Sequence, residues 1–254
     1  MATFAVGDIH GQVAPLVALL ATLAPEIAAA DTVVFLGDYV DRGRDSKAVV
    51  DTILEFTAST PATVVSLLGN HEEWMLRTMS DPTDHAWLLG MDGLTTIASY
   101  SADAAAAIST AARANRGALY GRSMALPYER FFDAMPEAHR EFFATLRRFH
   151  DTADCLCSHG GLDPDVDSLA GQGRALVWGG PGFPERYAGS RPVVYGHHND
   201  AVLDADDWPH ARVMGVTYGL DTIAHGVLTA IRLPGPRFYQ SGRYQRRHEL
   251  EGEE

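Results

Sequence analysis

Six residues of metal-binding types, Asp8, His10, Asp38, Asn70, His159 and His197, stand in closely similar settings along this chain. They mix carboxylate and amide oxygens with imidazole nitrogens, a set suited to manganese, iron or zinc, and no thiolate is among them. Six ligands are too many for one tetrahedral zinc. Two metals sharing a bridging carboxylate would use them all, and metals roughly 3.5–4 Å apart are a common device for displacing phosphate esters. Such a pair acidifies a bridging water, giving a hydroxide near neutral pH aimed in line at phosphorus. An alkoxide leaves badly unless it is protonated, which calls for a nearby imidazole. Asp38 and Asp41, three apart in one loop, can serve a metal and a histidine separately. No covalent nucleophile is needed.

Positioning these side chains falls to five segments built alike: an apolar run, then a glycine or serine, then a ligand. They are Thr3–Gly11, Val33–Gly43, Val64–Glu72, Cys155–Gly161 and Val193–His198. Buried strands read as continuous apolar runs, and open α/β sheets place their sites beyond the carboxyl ends of strands. Glycines beside each ligand clear side chains from where a phosphate must approach. Any one segment alone would also fit an ordinary capped turn or a satisfied core histidine. Five in order, each after a strand, point to one metal cluster.

The first 70 residues alternate: strand 3–6, helix about 13–29, strand 32–36, a helix from Ser46 to Thr57, and strand 63–68. These are βαβ steps, which imply parallel neighbours and right-handed crossovers. Ser46 is placed to cap its helix. Residues 72–150 break the rhythm, with an alanine-rich helix (102–114) and another near 137–149. They read as a helical insertion that would sit over the site and shape access to it. After residue 153 the pattern is mainly β, with strands near 154–157, 192–195, 213–218 and 226–232. The expected organisation is one domain over 1–240, with the insertion at about 72–150, and a frayed tail at 241–254.

A net charge of −13 from 33 acidic and 20 basic residues leaves no basic footprint for nucleic acid. An anionic substrate would then depend on bound cations to invert the local field. The apolar stretch 13–30 is broken by Pro15, Pro25 and Glu26 and reads as a packing helix rather than a membrane span. With no basic leader and no cleavage site, a cytoplasmic location is expected. Cys155 and Cys157, two apart on one strand face, read as buried apolar packing.

Taken together, Gly7–Gly11, Gly37–Gly43, Gly69–Glu72, His159–Gly161 and Gly196–His197 resemble the signature of calcineurin-like metallophosphoesterases, in particular the phosphoprotein phosphatase group. The Tyr195-Gly-His197 form and Gly219-Leu-Asp-Thr222 are closest to its bacterial and phage branch. The resemblance implies an α/β fold with two packed mixed β-sheets flanked by helices, a four-layer αββα sandwich with a helical insertion. It implies two divalent ions, Mn²⁺ foremost and Fe or Zn as alternatives. Asp8 and His10 would hold the first metal, Asp38 would bridge, and Asn70, His159 and His197 would hold the second. His71 would be the general acid, Asp41 its orienter, and Arg42 the phosphate clamp, with Asn70 also near the phosphate.

Two departures from that pattern stand out. A second arginine usually follows the tryptophan of a Leu-x-Trp-x-Arg block, and here the block is Leu176-Val-Trp178-Gly-Gly180. Arg174 or Arg186 is a candidate replacement, each equally an ordinary surface arginine. Ile223 stands where the bacterial branch commonly has glycine, beside His225. His198 is expected on the opposite strand face from His197, in a structural role.

The activity expected is a two-metal phosphomonoesterase of serine/threonine protein phosphatase type, with a phosphorylated protein or a small phosphate ester as substrate. Hydrolysis of dinucleoside polyphosphates is the alternative enzyme reading. A non-catalytic phosphate-binding module is the reading from another class, and retention of the whole ligand set speaks against it.

Overall fold

A computed structural model describes residues 1–242. The first sheet begins with β1 (Thr3–Val6), β2 (Thr32–Phe35) and β3 (Thr63–Ser66), linked by α1 (Val13–Leu23) and α2 (Ser46–Ser59). The three strands run parallel in strict register, Thr3 opposite Thr32 and Thr32 opposite Thr63. β-Branched and aromatic residues fill them because both faces are covered. Phe4, Val6, Val33 and Phe35 pack with Leu16, Leu19, Val49 and Ile53 of the helices. Ala5, Val34 and Leu36 point the other way, into a layer shared with the second sheet.

Helix α1 ends at Leu23, short of the expected limit, because Pro25 follows and cannot extend the hydrogen-bond ladder. Ser46 does not cap α2. Asp45 holds the cap position, and the Ser46 hydroxyl turns inward to Asp41 and Thr96.

Residues 70–144 form seven helices: α3 (Asn70–Ser80), α4 (Ala86–Gly90), α5 (Gly93–Tyr100), α6 (Ala102–Ala114), α7 (Arg116–Tyr120), α8 (Glu129–Ala134) and α9 (Glu137–Ala144). Trp87, Ile97, Ile108, Phe131 and Phe142 from these helices join the cluster that holds α1 and α2 to the sheet.

The second sheet contains β4 (Phe149–Asp151) and β5 (Leu156–Ser158). The short α10 (Ala175–Trp178) then precedes β6 (Val193–Tyr195). A separate hairpin, β7 (Val202–Leu203) with β8 (Pro209–His210), leads to β9 (Arg212–Met214) and β10 (Thr217–Gly219). The expected strand at 213–218 is thus a hairpin, turned at Gly215, whose φ is +58°. The sheet order is β4-β5-β6-β10-β9, with β5, β6 and β10 parallel and both edges antiparallel. The chain returns to the first sheet with β11 (Thr229–Leu233), antiparallel to β1, and β12 (Arg237–Gln240), a strand the sequence reading lacks.

Two mixed five-stranded sheets flanked by helices are therefore packed face to face. Cys155, Cys157, Val194, Tyr218 and Leu220 of the second meet Val34, Leu36 and Ile231 of the first. The cysteines are buried and free, with Sγ atoms 3.7 Å apart. No helix among the described residues is long and apolar enough to cross a membrane. The tail expected to fray lies, from residue 243 on, outside the described residues.

Candidate metal centre

Each candidate ligand follows the carboxyl end of a parallel strand: Asp8 after β1, Asp38 after β2, Asn70 after β3, His159 after β5 and His197 after β6. The loops between strand end and ligand bend sharply. Nine non-glycine residues among those described have positive φ, and five of them are His10, Asp38, Asp41, Arg42 and His197. Strain of this kind persists only where surrounding contacts over-determine it, and it gathers at functional sites.

Glu72 supplies much of that determination. Its fully buried carboxylate accepts hydrogen bonds from the backbone N–H of Asp38 (2.9 Å), Tyr39 (2.8 Å), Val40 (3.2 Å) and Gly69 (3.1 Å). One side chain therefore ties the Asp38 loop to the Asn70 loop. Burial and the nearby Asp38 push its carboxyl up to about 7, even against these four donors.

The imidazoles are held in defined tautomers. His10 Nδ1 lies 3.1 Å from the Val40 carbonyl and His159 Nδ1 lies 3.1 Å from the Leu36 carbonyl. A carbonyl only accepts, so each Nδ1 carries the proton and each Nε2 faces the cluster. His10 Nε2 lies 3.5 Å from Asp38 Oδ2 and 4.0 Å from Asp8 Oδ2. On the other side His159 Nε2 lies 3.3 Å from Asp38 Oδ1 and 3.0 Å from Asn70 Oδ1, which is also 3.0 Å from His197 Nδ1.

Lone pairs thus face one another at two points, and Asp38 is common to both. Two groups of donor atoms each lie within 4.8 Å of one another: His10, Asp38 and His71 form one, and Asp38, His159 and His197 the other. Asp8 Oδ1 and His10 Nε2 are buried with no hydrogen-bond partner. Buried polar atoms rarely go unpaired, and hard oxygens with imidazole nitrogens are a donor set for divalent ions. A Cβ at Gly196 would collide with Asp8 Oδ1, so a glycine is required beside that ligand. The residues present fit a pair of divalent cations.

Electrostatics point the same way. Burial, together with Asp221 and Asp38, pushes the Asp8 carboxyl well above the usual carboxylate range. Burial and the neighbouring His159 bring His197 down to about 3. Burial brings His10 to about 3 as well, against the pull of Asp38. Both imidazoles are therefore neutral at ordinary pH, as a ligand must be. At His159, by contrast, burial is outweighed by the Asp38 carboxylate and the ring's pKa is raised, by negative charge that a bound cation would offset. Asp221, buried with Oδ2 accepting from the Asn199 N–H at 2.7 Å, adds to this negative field.

His71 Nδ1 lies 2.7 Å from Asp41 Oδ2, and its Nε2 lies 3.4 Å from Arg42 Nη2. Arg42 is exposed at the mouth of the site. The two arginines weighed as a second clamp part company. Arg174 lies 4.3 Å over the Trp178 ring, whose centroid is 6.1 Å from that of His197. Arg186 bonds to Asp165 at 2.6 Å and to the Pro181 carbonyl, neither of them in the ligand set. A Cβ at Gly180 would run into the backbone of Leu162 and Asp163, so an arginine has no room there.

His198 lies beyond the end of β6, so strand alternation does not place it. The positive φ of His197 turns the chain, and His198 Nε2 bonds to the Gly160 carbonyl at 3.2 Å. Ile223 is buried and its carbonyl accepts from Gln12 Nε2 at 3.2 Å, while His225 is exposed. Glu72, Asp221, Trp87 and Thr96 were not singled out from the sequence as site residues. Asp221 had a usable signal, since it follows the end of β10 by two residues, with Gly219 and Leu220 before it.

The sequence model of the calcineurin-like phosphoesterase family matches residues 1–226. A symmetrical bis(5′-nucleosyl)-tetraphosphatase from Pectobacterium atrosepticum is 42% identical over 78 residues, 30% of this chain. That match spans a quarter of the relative's own length. Among solved structures, a protein proposed to be a diadenosine tetraphosphatase superposes with a TM-score of 0.62 at 19% identity, covering 96% of this chain and 95% of the other. A serine/threonine phosphatase from Saccharomyces cerevisiae, with similarity to human PP5, superposes at 0.54 with 15% identity, covering 97% and 81%. At such identities these likenesses speak to the fold alone.

Proposed function

The chain belongs to the calcineurin-like phosphoesterase family, and from that premise we propose that it is a metal-dependent phosphoric ester hydrolase acting on phosphomonoesters, in the manner of serine/threonine phosphatases. The observation that carries this reading is Asp38, whose carboxylate lies between His10 on one side and His159 on the other, where a residue shared by two ions would stand. Asp8, His10 and Asp38 would hold one ion, and Asp38, Asn70, His159 and His197 the other. Manganese is the first choice, with iron or zinc compatible with the same donors. When bound, the ions supply Lewis-acid charge at the phosphoryl group and an acidified water.

The protein's own groups do the rest. With Nδ1–H given to Asp41, His71 is left with Nε2 to carry a proton to the leaving oxygen. Burial opposes a charged ring, yet Asp38 and then Asp41 raise the His71 pKa above its ordinary value, so the ring is supplied with that proton. His71 also falls within the donor group of His10 and Asp38. We assign it as acid rather than ligand because its Nδ1 is held by the Asp41 carboxylate at 2.7 Å and its Nε2 lies 3.4 Å from Arg42, the side chain that would hold the phosphate beside it. Arg42 would grip two phosphate oxygens with its planar fork of donors, next to the proton to be delivered.

A second reading, cleavage of dinucleoside tetraphosphates, is favoured by the likeness to the Pectobacterium atrosepticum tetraphosphatase. Product analysis of manganese-loaded protein on a phosphoserine peptide and on diadenosine tetraphosphate decides between them. Higher kcat/KM on the peptide supports the phosphomonoesterase reading. Release of ADP at a kcat/KM higher than that for the peptide replaces it with the second.

A further inference from the structure

Asp41 is gripped from a part of the chain far from it in sequence. Its carboxylate, fully buried, meets four donor contacts besides any solvent: His71 Nδ1 at 2.7 Å, Trp87 Nε1 at 2.8 Å from Oδ2 and 3.0 Å from Oδ1, and Thr96 Oγ1 at 2.6 Å from Oδ1. Its own N–H donates to Thr96 Oγ1 at 2.8 Å and to Ser46 Oγ at 3.2 Å. Ser46 Oγ and Thr96 Oγ1 are 3.1 Å apart.

The hydrogens can be placed by counting. A carboxylate only accepts, so the single hydroxyl proton of Thr96 goes to Asp41 Oδ1. Thr96 Oγ1 then accepts from the Asp41 N–H and from the Ser46 hydroxyl. The result is a directed chain, Ser46 to Thr96 to Asp41, with the Trp87 indole closing the other side.

Trp87 and Thr96 sit on α4 and α5, in the stretch read from sequence as an insertion. Their seats are rigid. The Trp87 ring is fully buried, with the Phe131 ring at 5.6 Å and the Tyr128 ring at 6.4 Å. A Cβ on Gly93 would lie 2.6 Å from Trp87 Cε2, so the indole fills the space above that glycine completely. Thr96 is also fully buried. Asp41 itself has a φ of +70°, a conformation that needs outside contacts to persist.

We infer that α4 and α5 act as a positioning element for His71: Trp87 and Thr96 lock the Asp41 carboxylate in one orientation, and Asp41 thereby aims the His71 ring. Trp87 and Thr96 are fully buried and reach the site through Asp41. The inference rests on the assignment of His71 as general acid, and it gives the helical stretch a role in the chemistry beyond covering the site.

The test uses full-length, metal-loaded protein in the variants Trp87→Phe, Thr96→Val and Thr96→Ser, with His71→Asn alongside. Trp87→Phe keeps an aromatic ring and removes the N–H, and Thr96→Val keeps the shape and removes the hydroxyl. Turnover is measured on p-nitrophenyl phosphate, whose leaving group needs little protonation, and on phenyl phosphate, whose leaving group needs more. The ratio of kcat on phenyl phosphate to kcat on p-nitrophenyl phosphate is expected to fall about tenfold in Trp87→Phe and Thr96→Val, part of the 10²–10⁴ range of acid catalysis. Thr96→Ser should restore it, and bound metal should be unchanged.

An unchanged ratio in both variants overturns the inference if His71→Asn shifts it. Should His71→Asn leave the ratio unchanged, the acid assignment fails, and the positioning claim is then decided by NMR on protein loaded with diamagnetic Zn²⁺. The His71 Nδ1–H resonance is expected far downfield and slow to exchange in the parent. Faster exchange in Trp87→Phe and Thr96→Val supports the positioning role, and unaltered exchange overturns it.

Discussion

His71 Nδ1 and Asp41 Oδ2 lie 2.7 Å apart with both side chains buried. A bond this short between an imidazole and a carboxylate fixes the tautomer and stabilises the charged ring. Replacing Asp41 with Asn keeps the volume and removes the charge, so His71 loses one of the carboxylates that favour its charged ring, and the one that orients it. Asp41→Asn is expected to lower kcat on phenyl phosphate by about 10²-fold or more while leaving metal content intact. A loss of under threefold, measured at saturating metal, would contradict the pairing's role.

Glu72 is expected to matter as much for stability as any core residue. Its carboxylate answers four backbone N–H groups across two loops, and glutamine offers one acceptor oxygen with an amide that presents hydrogens to donors. Hydrogen bonds to charged groups are worth about 1.5–3 kcal/mol each, and Glu72→Gln is expected to cost about 3 kcal/mol. Urea unfolding of the apo protein checks this. Metal affinity should fall too, since Asp38 and Asn70 lose their common anchor.

The missing second clamp separates Arg174 from Arg186. Arg174 rests on Trp178 next to His197, whereas Arg186 is paired with Asp165. Arg174→Ala is expected to raise KM for an aryl phosphate about three- to fivefold, the scale of one exposed charge contact, with kcat little changed. Arg186→Ala should leave KM within error. Steady-state kinetics of the two variants side by side give the answer, and a larger effect at Arg186 would reverse the assignment.

Sequence made the ligands legible because each follows a strand end, a local signal carried by a few adjacent residues. The first sheet's parallel core was equally legible, as apolar runs such as Val33-Val34-Phe35. What stayed hidden came through contacts distant in sequence. Trp87 reaches Asp41 across 46 residues and Thr96 across 55, and nothing in their neighbourhoods marks them. Glu72 stood inside a recognised motif, yet its task is set by backbone donors of another loop. Ser46 looked like a helix cap by position and was claimed instead by Asp41 and Thr96. The split of β9 from β10 turned on Gly215, a single residue inside a run that otherwise reads as one strand.

Metal dependence is the central claim, and a reconstitution titration tests it most directly. The protein is stripped with chelator, shown by circular dichroism to remain folded, and titrated with Mn²⁺ while aryl phosphate hydrolysis and bound metal are followed together. The account predicts no turnover without metal and activity that rises to a plateau as about two ions bind per chain, the stoichiometry of a shared-carboxylate site. Full activity in metal-free protein, or none in folded protein with both ions bound, would contradict it.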